Sequence, residues 1–326
     1  MTDWRRLLVY THRWLGLAGC LLFIAWFASG VVMMYVRMPS LTAEERLLHA
    51  GRLATARVHV TPAAAARTAG LTPRRIRLGM LGTRPVYRLT DGREARVVMA
   101  DSGEPAPPVD ATSALALAQP FARASAGVPR HEVVLTDRDQ WTLSSSLRPY
   151  FPLHRIALGD ADGTVVYLSA RTGDAVMKTT RSARAWNTVG SVLHWLYFTP
   201  LRRQGSLWTQ TVIWLSIAGC IMTASGLLWG LWRVGWRTAY RLRGQSTRLP
   251  YDGAMRWHHA AGLLFGLTTF TWIFSGLLSM TPWDWSPGHT PTRGQQEALA
   301  GGPLRLDGWT PDHLRNALAR IPAEFP

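Results

Sequence analysis

Three stretches of this chain are too long and too apolar for the core of a water-soluble domain of ordinary size. No charged residue occurs from Trp14 to Val36, between Arg13 and Arg37, or from Gln204 to Trp232, between Arg203 and Arg233. A third block runs from Trp257 to Trp283, and only His258 and His259, at one end, break its apolar character. A helix needs about 20 apolar residues to cross a bilayer core, and each block reaches that length. The first block is longer than the apolar part of a cleaved leader, and no small-residue cleavage site follows it, so it reads as an uncleaved anchor. The predicted fold is a membrane α-helical bundle with three spans in this chain, part of a four-span duplicated architecture, carrying an α+β outer domain.

Arginines set the expected orientation. Arg5, Arg6 and Arg13 precede the first block, and Arg233, Arg237, Arg241, Arg243, Arg248 and Arg256 fill the short connection between the second and third against a lone Asp252. Both basic segments belong on the cytoplasmic side. The chain then divides into a cytoplasmic N-terminus with the first transmembrane helix (1–37), an outer α+β domain (38–185), an interfacial histidine-containing helix (186–203), a second transmembrane helix (204–232), a basic cytoplasmic loop (233–256), a third transmembrane helix (257–283) and an outer segment (284–326). The net charge of +16 carries no long basic run and no nucleic-acid motif. It fits topology and contact with membrane lipid, and nucleic acid is not an expected partner. Cys20 and Cys220 both lie inside apolar blocks, which leaves no disulfide framework and no CxxC site.

The outer domain opens with a polar, alanine-rich stretch (42–70) that reads as helix. Residues 85–105 and 154–176 then follow one plan, with an alternating run, an Asp-Gly turn (Asp91-Gly92, Asp162-Gly163), a second alternating run and a Ser/Thr-Gly-acid ending. Asp-Gly between alternating runs signals a hairpin. Two copies imply two related units, each a helix on a small antiparallel sheet, with Pro105–Pro108 as linker and a helix over 111–126. Trp186–Pro200 is uncharged but too short to span, and is expected to lie at the membrane surface as an aromatic-rich helix ended by Pro200. The stretch 283–294 reads as loop and 310–320 as a short helix.

The chemistry is carried by a match between the first and third blocks. At a fixed offset, His12 aligns with His258, Gly16 with Gly262, Trp26 with Trp272, and Ser29-Gly30 with Ser275-Gly276. At about 100° per residue, Gly16, Gly19, Phe23, Trp26 and Gly30 share a face with His12, as Gly262, Phe265, Thr269, Trp272 and Gly276 do with His258. Glycine one turn after histidine leaves a notch beside an imidazole, where a flat macrocycle can approach the backbone while the imidazole binds its iron. The expectation is a haem b near the cytoplasmic face with His12 and His258 as axial ligands and His259 as the reserve. Arg13, Arg256 and the Arg5-Arg6 pair are placed to hold propionates. The competing reading is a pair of interfacial histidines with glycines for close helix packing.

About 27 Å further along each stripe lies the opposite membrane face. There the predicted surface helix carries His194 within Leu-His-Trp-Leu-Tyr-Phe. A second haem with His194 as one ligand would complete an electron path, against the alternative of a histidine anchoring an aromatic belt. His289 and His313 are on the correct side for its trans ligand, in loop and polar-helix contexts. His49, His59, His131 and His154 are scattered through the outer domain. Because the second half of the repeat stops early, a further segment carrying the missing ligand and a fourth span is expected beyond residue 326, or else that ligand is exogenous. No Gly-x-Gly-x-x-Gly follows a strand, so the electron donor is external.

His-Arg-Trp-Leu-Gly opening the first helix, the VVYLSARTGDAV unit, Leu193-His194 before the second helix and Trp257-His258 at the third resemble the PepSY-associated transmembrane-helix proteins of bacterial inner membranes. The resemblance runs over nearly the whole chain. It implies an inner-membrane location, a periplasmic PepSY-like domain, two haems b, and reduction of Fe(III) in an imported ferric siderophore with a quinol or another donor. The rival expectation is a non-enzymatic membrane-anchored PepSY module that binds a protease, peptide or envelope component. For that rival the histidines are dispensable.

Overall fold

The structure is a computed structural model that describes residues 3–124, 127–286, 291–302 and 304–320. Among the described residues, ten α-helices and nine strands follow in chain order. They are α1 (Asp3–Tyr35), α2 (Ala43–Leu48), α3 (Pro62–Ala69), β1 (Arg75–Leu81), β2 (Arg84–Thr90), β3 (Ala95–Met99), α4 (Ala111–Ala124), β4 (Arg130–Leu135), β5 (Leu153–Ala157), β6 (Val165–Ser169) and β7 (Ala175–Thr179), then α5 (Arg181–Asn187), α6 (Thr199–Arg203), α7 (Gly205–Arg233), β8 (Tyr240–Leu242), β9 (Gln245–Thr247), α8 (Gly253–Ser279), α9 (Arg293–Leu299) and α10 (Pro311–Ala319). Helices α1, α7 and α8 are long and apolar enough to cross a membrane. The chain separates into two compact units, Met1–Val31 with Leu193–His289, and Val32–Val192 with Thr290–Pro326.

In the second unit, both expected hairpins form. Tyr87 pairs with Val98 and Leu89 with Arg96 across β2 and β3. Their turn is closed by Asp91, whose carboxylate accepts from the amides of Arg93 and Glu94 at 2.7 and 2.8 Å. His154 pairs with Leu168 and Ile156 with Val166 across β5 and β6. The first hairpin gains β1 and the second gains β4 and β7, giving sheets ordered β1-β2-β3 and β4-β5-β6-β7. The sequence reading missed β7, which follows the Thr-Gly-Asp turn, and it missed β1 and β4. Neither strand is fully buried on one face, so the alternation that marks a half-buried strand is weak in both. Helix α3 packs with Tyr87, Leu89 and Val98, and α4 packs through Ala114, Ala118 and Phe121 on Ile156, Val166 and Leu168. Leu314 of α10 joins the first of these cores.

The expected helix over 42–70 is instead two short α-helices joined by a link that holds a 3-10 turn at Thr55–Arg57 and is extended from Val58. Thr42 and Thr61 each cap a new start, accepting from the amides of Glu45 and Ala64 at 3.1 Å. Gly70, at φ 61°, closes α3 in the left-handed conformation. Between them Val58 is fully buried and the Tyr87 hydroxyl donates to the Val60 carbonyl at 2.9 Å, so tertiary contacts hold the link extended. The Thr172-Gly173-Asp174 turn has a structural role within this unit. Asp174 pairs with Arg77 at 2.5 Å and Arg88 at 3.1 Å, and the Arg88 guanidinium donates to the Thr172 carbonyl at 2.9 Å. It ties the second sheet's turn to the first sheet.

Asp101 sets one acid-dependent contact of this unit. Arg84 donates to both its oxygens at 2.8 and 2.7 Å, and this hydrogen bonding holds the carboxyl below its ordinary range. A depressed carboxyl stabilises the folded state fully above its unfolded value of about 4, and that contribution is lost as pH falls through the lower folded value. Thermal melting of the detergent-solubilised chain, followed by circular dichroism, is expected to show a stability loss below about pH 4 that is smaller in Asp101→Asn. Equal pH profiles for the two proteins would remove Asp101 as a contributor.

Candidate functional site

The first unit brings four of the singled-out histidines into defined settings. His12 lies one-third along α1, where its Nδ1 is 2.9 Å from the main-chain oxygen of Met222 on α7. A carbonyl can only accept, so Nδ1 carries the proton and the Nε2 lone pair of the neutral ring is left for another partner. Gly226, one turn after Met222, makes this approach possible: a Cβ there would lie 2.4 Å from Cε1 of His12. The ring centres of His12 and His258 are 6.0 Å apart, with planes inclined at 51°.

His258 makes no hydrogen bond among the described residues. It stands at one end of an open groove of about 460 Å³ along α8, lined by Gly262, Phe265, Thr269 and Trp272, with Phe27 from α1. Nothing lies within 4 Å of a Cβ placed on Gly262. The stripe read from α8 therefore lines an open groove. The matching stripe of α1 meets α7 instead: a Cβ on Gly16 would be 3.9 Å from the Met222 sulfur, and one on Gly219 would be 3.3 Å from the Phe23 ring.

His259 is buried, and its Nε2 donates to the Gly230 carbonyl at 2.9 Å, bracing α8 on α7. Its Nδ1 is buried without a partner among the described residues. The ring thus faces away from the groove, in keeping with the angle of about 100° between successive helical residues. Arg13 and Arg256 are exposed and unpaired with any carboxylate among the described residues. The Arg5 guanidinium lies 4.1 Å from the Trp232 ring centre, a cation–π contact that anchors α1 to the end of α7.

At the other end, His194 packs on α1. Its Nδ1 is 3.1 Å from the Trp26 carbonyl and 3.1 Å from the Ser29 hydroxyl. The hydroxyl itself donates to the Trp26 carbonyl, so the His194 Nδ1–H again points at a main-chain oxygen and Nε2 is left bare. A Cβ on Gly30 would be 3.3 Å from Cε1 of His194. The surface segment differs from the expectation. Helix α5 begins at Arg181, Thr188–Val192 forms a π-helical turn, and Leu196, at φ 53°, ends the stretch after His194. Pro200 does not end that helix; it sits in the first turn of α6, where its missing N–H has no helical acceptor to lose. The Trp208 indole donates to the Trp195 carbonyl at 2.8 Å, and Tyr197 packs between the two tryptophan rings, which joins this segment to the start of α7.

His313 lies in the other unit, exposed on α10, with Nδ1 2.7 Å from the Gly308 carbonyl. His289 lies outside the described residues. His131 and His154 form a pair at 3.0 Å, and the buried His154 donates through Nε2 to the Val109 carbonyl at 2.8 Å. A carbonyl holds the Nε2 proton, so His154 accepts at Nδ1 and His131 donates. The basic connection 233–256 contains the hairpin β8–β9, turned at Arg243-Gly244. Sequence reasoning missed Met222, Ser225 and Gly226, although a Ser-Gly pair occurs in each apolar block. No protein-family model, curated protein or solved structure matches this chain.

Proposed function

We propose that the chain is a membrane haem b protein that passes electrons across the bacterial inner membrane to a periplasmic acceptor, Fe(III) held in a siderophore. The observation that carries this reading is the His12–His258 pair beside an open apolar groove. Two imidazoles on opposite sides of one metal, each bound through about 2 Å, have ring centres about 6 Å apart, and the pair stands at 6.0 Å. The residues present fit the group: His12 is fixed in the tautomer that offers Nε2, and Gly262 leaves open space beside His258. Metal-bound histidines characteristically give their other ring proton to a carbonyl, which sets ring orientation and ligand basicity.

When bound, haem b supplies a one-electron iron couple. His12 and His258 would hold the iron, and the Met222 carbonyl would keep the proton on Nδ1 of His12. Phe265, two turns from His258, would shield the macrocycle from water, and the exposed Arg13 and Arg256 would meet its carboxylates. His194 would bind a second iron at the other end, completing the path from a cytoplasmic-side or quinol donor. The siderophore as acceptor rests on the resemblance of the histidine helices and the Thr-Gly-Asp hairpin.

Purified protein from haem-replete cells is expected to show sharp b-type bands on reduction, with two haems per chain by pyridine haemochrome. Those bands should bleach anaerobically on addition of a ferric hydroxamate. A colourless folded protein would overturn the haem reading and leave a binding module. Pigment that no ferric siderophore reoxidises would overturn the acceptor alone.

A further inference from the structure

Each long helix carries one Ser-Gly pair, and the three pairs share a local geometry. In Trp26–Gly30, Met222–Gly226 and Trp272–Gly276 the serine hydroxyl donates to the carbonyl three residues back, at 3.1, 2.9 and 2.9 Å. The glycine that follows strips the Cβ from the place beside that carbonyl. Two of these seats hold an imidazole, His194 over Gly30 and His12 over Gly226, each with Nδ1 on the seat's carbonyl. The third is open among the described residues, since none of them lies within 4 Å of a Cβ on Gly276 and Trp272 is 64% exposed.

Serine back-bonding alone is common on helices, and small residues alone serve helix packing. The combination is selective here. Thr271 and Ser279 of α8 also bond back, to Thr268 and Gly276, but Trp272 and Met280 follow them, so neither makes a seat. The offset that relates His12 to His258 also relates the Gly30 seat to the Gly276 seat. The latter is therefore the α8 counterpart of the place where His194 docks.

We infer that Trp272–Gly276 seats the imidazole of a third polypeptide histidine, with its Nδ1–H on the Trp272 carbonyl and its Nε2 turned outward. This rests on the haem reading, in which that imidazole and His194 would together hold the second iron. A polypeptide histidine is the occupant because both filled seats hold one, fixed by helix-borne main chain.

The test is Gly276→Leu, which fills the seat, beside Thr271→Leu, which adds the same bulk next to it. Electron paramagnetic resonance and visible spectra would be recorded on dialysed protein. In the wild type, the site that disappears in His194→Ala should be low-spin and six-coordinate. Gly276→Leu should lose that low-spin signal and gain carbon monoxide binding, while the His12–His258 signal persists as the sign of a folded bundle and Thr271→Leu changes neither. An unchanged His194-dependent signal in Gly276→Leu would overturn the inference. So would a wild-type site that turns low-spin only on adding free imidazole, which would make the seat one for a small ligand. A preparation with no haem at all would instead overturn the reading beneath it.

Discussion

His258→Ala is expected to abolish the six-coordinate b-type signal of the proposed His12–His258 site while leaving the chain folded. His258 makes no hydrogen bond among the described residues and lies on an open face of α8. Its removal leaves no buried polar group behind, and a surface change of that kind stays within about 0.5 kcal/mol of stability. The expected loss is thus chemical, as one axial bond disappears. His12→Ala should remove the same spectral component, at a stability cost of about 1 kcal/mol for the bond to Met222. His131→Ala, in the second unit, should leave the signal intact. Spectra of both axial variants that match the wild type would sink the assignment, and a component lost in only one of them would move the second ligand elsewhere.

The second large effect belongs to a residue that could never bind iron. Gly226→Ala places a methyl group 2.4 Å from Cε1 of His12, well inside contact distance. A ring held by its own helix and by a hydrogen bond cannot give way as the end of a flexible chain does, so His12 must leave the Met222 carbonyl. Disturbing the group that orients a metal-bound histidine costs about 10–100-fold in affinity. Alanine is otherwise the better helix former, by about 1 kcal/mol. The variant should therefore melt no earlier than the wild type yet retain haem poorly in a titration of the apoprotein. Gly262→Ala is the contrast, because a Cβ there meets no protein atom. Equal haem affinity in Gly226→Ala and the wild type would show that the Met222 contact does not govern the site.

Much of the arrangement was legible along the chain because it follows from short-range periodicity. Uncharged runs mark α1, α7 and α8, and the two Asp-Gly turns mark both hairpins. The offset match marked His12 and His258 as a pair before any geometry existed, and the angle between consecutive helical residues set His259 apart. The edge strands β1 and β4 escaped because their burial has no clean alternation. The 42–70 stretch misled because alanine content favours helix along its length, whereas the caps at Thr42 and Thr61 and the burial of Val58 decide where helix stops.

Which helices can cross a membrane, where the hairpins turn and which histidines share a helix position are all set along the chain, since each depends on neighbours within a few residues. What each histidine faces is set by the packing of distant elements. Nothing local in His12 says that its Nδ1 proton goes to Met222, a carbonyl 210 residues away. Nothing local in Gly226 says that its missing side chain makes room for that ring. Hydrogen-bond direction and close approach are properties of pairs of elements, and they fix the tautomer on which the proposed chemistry depends.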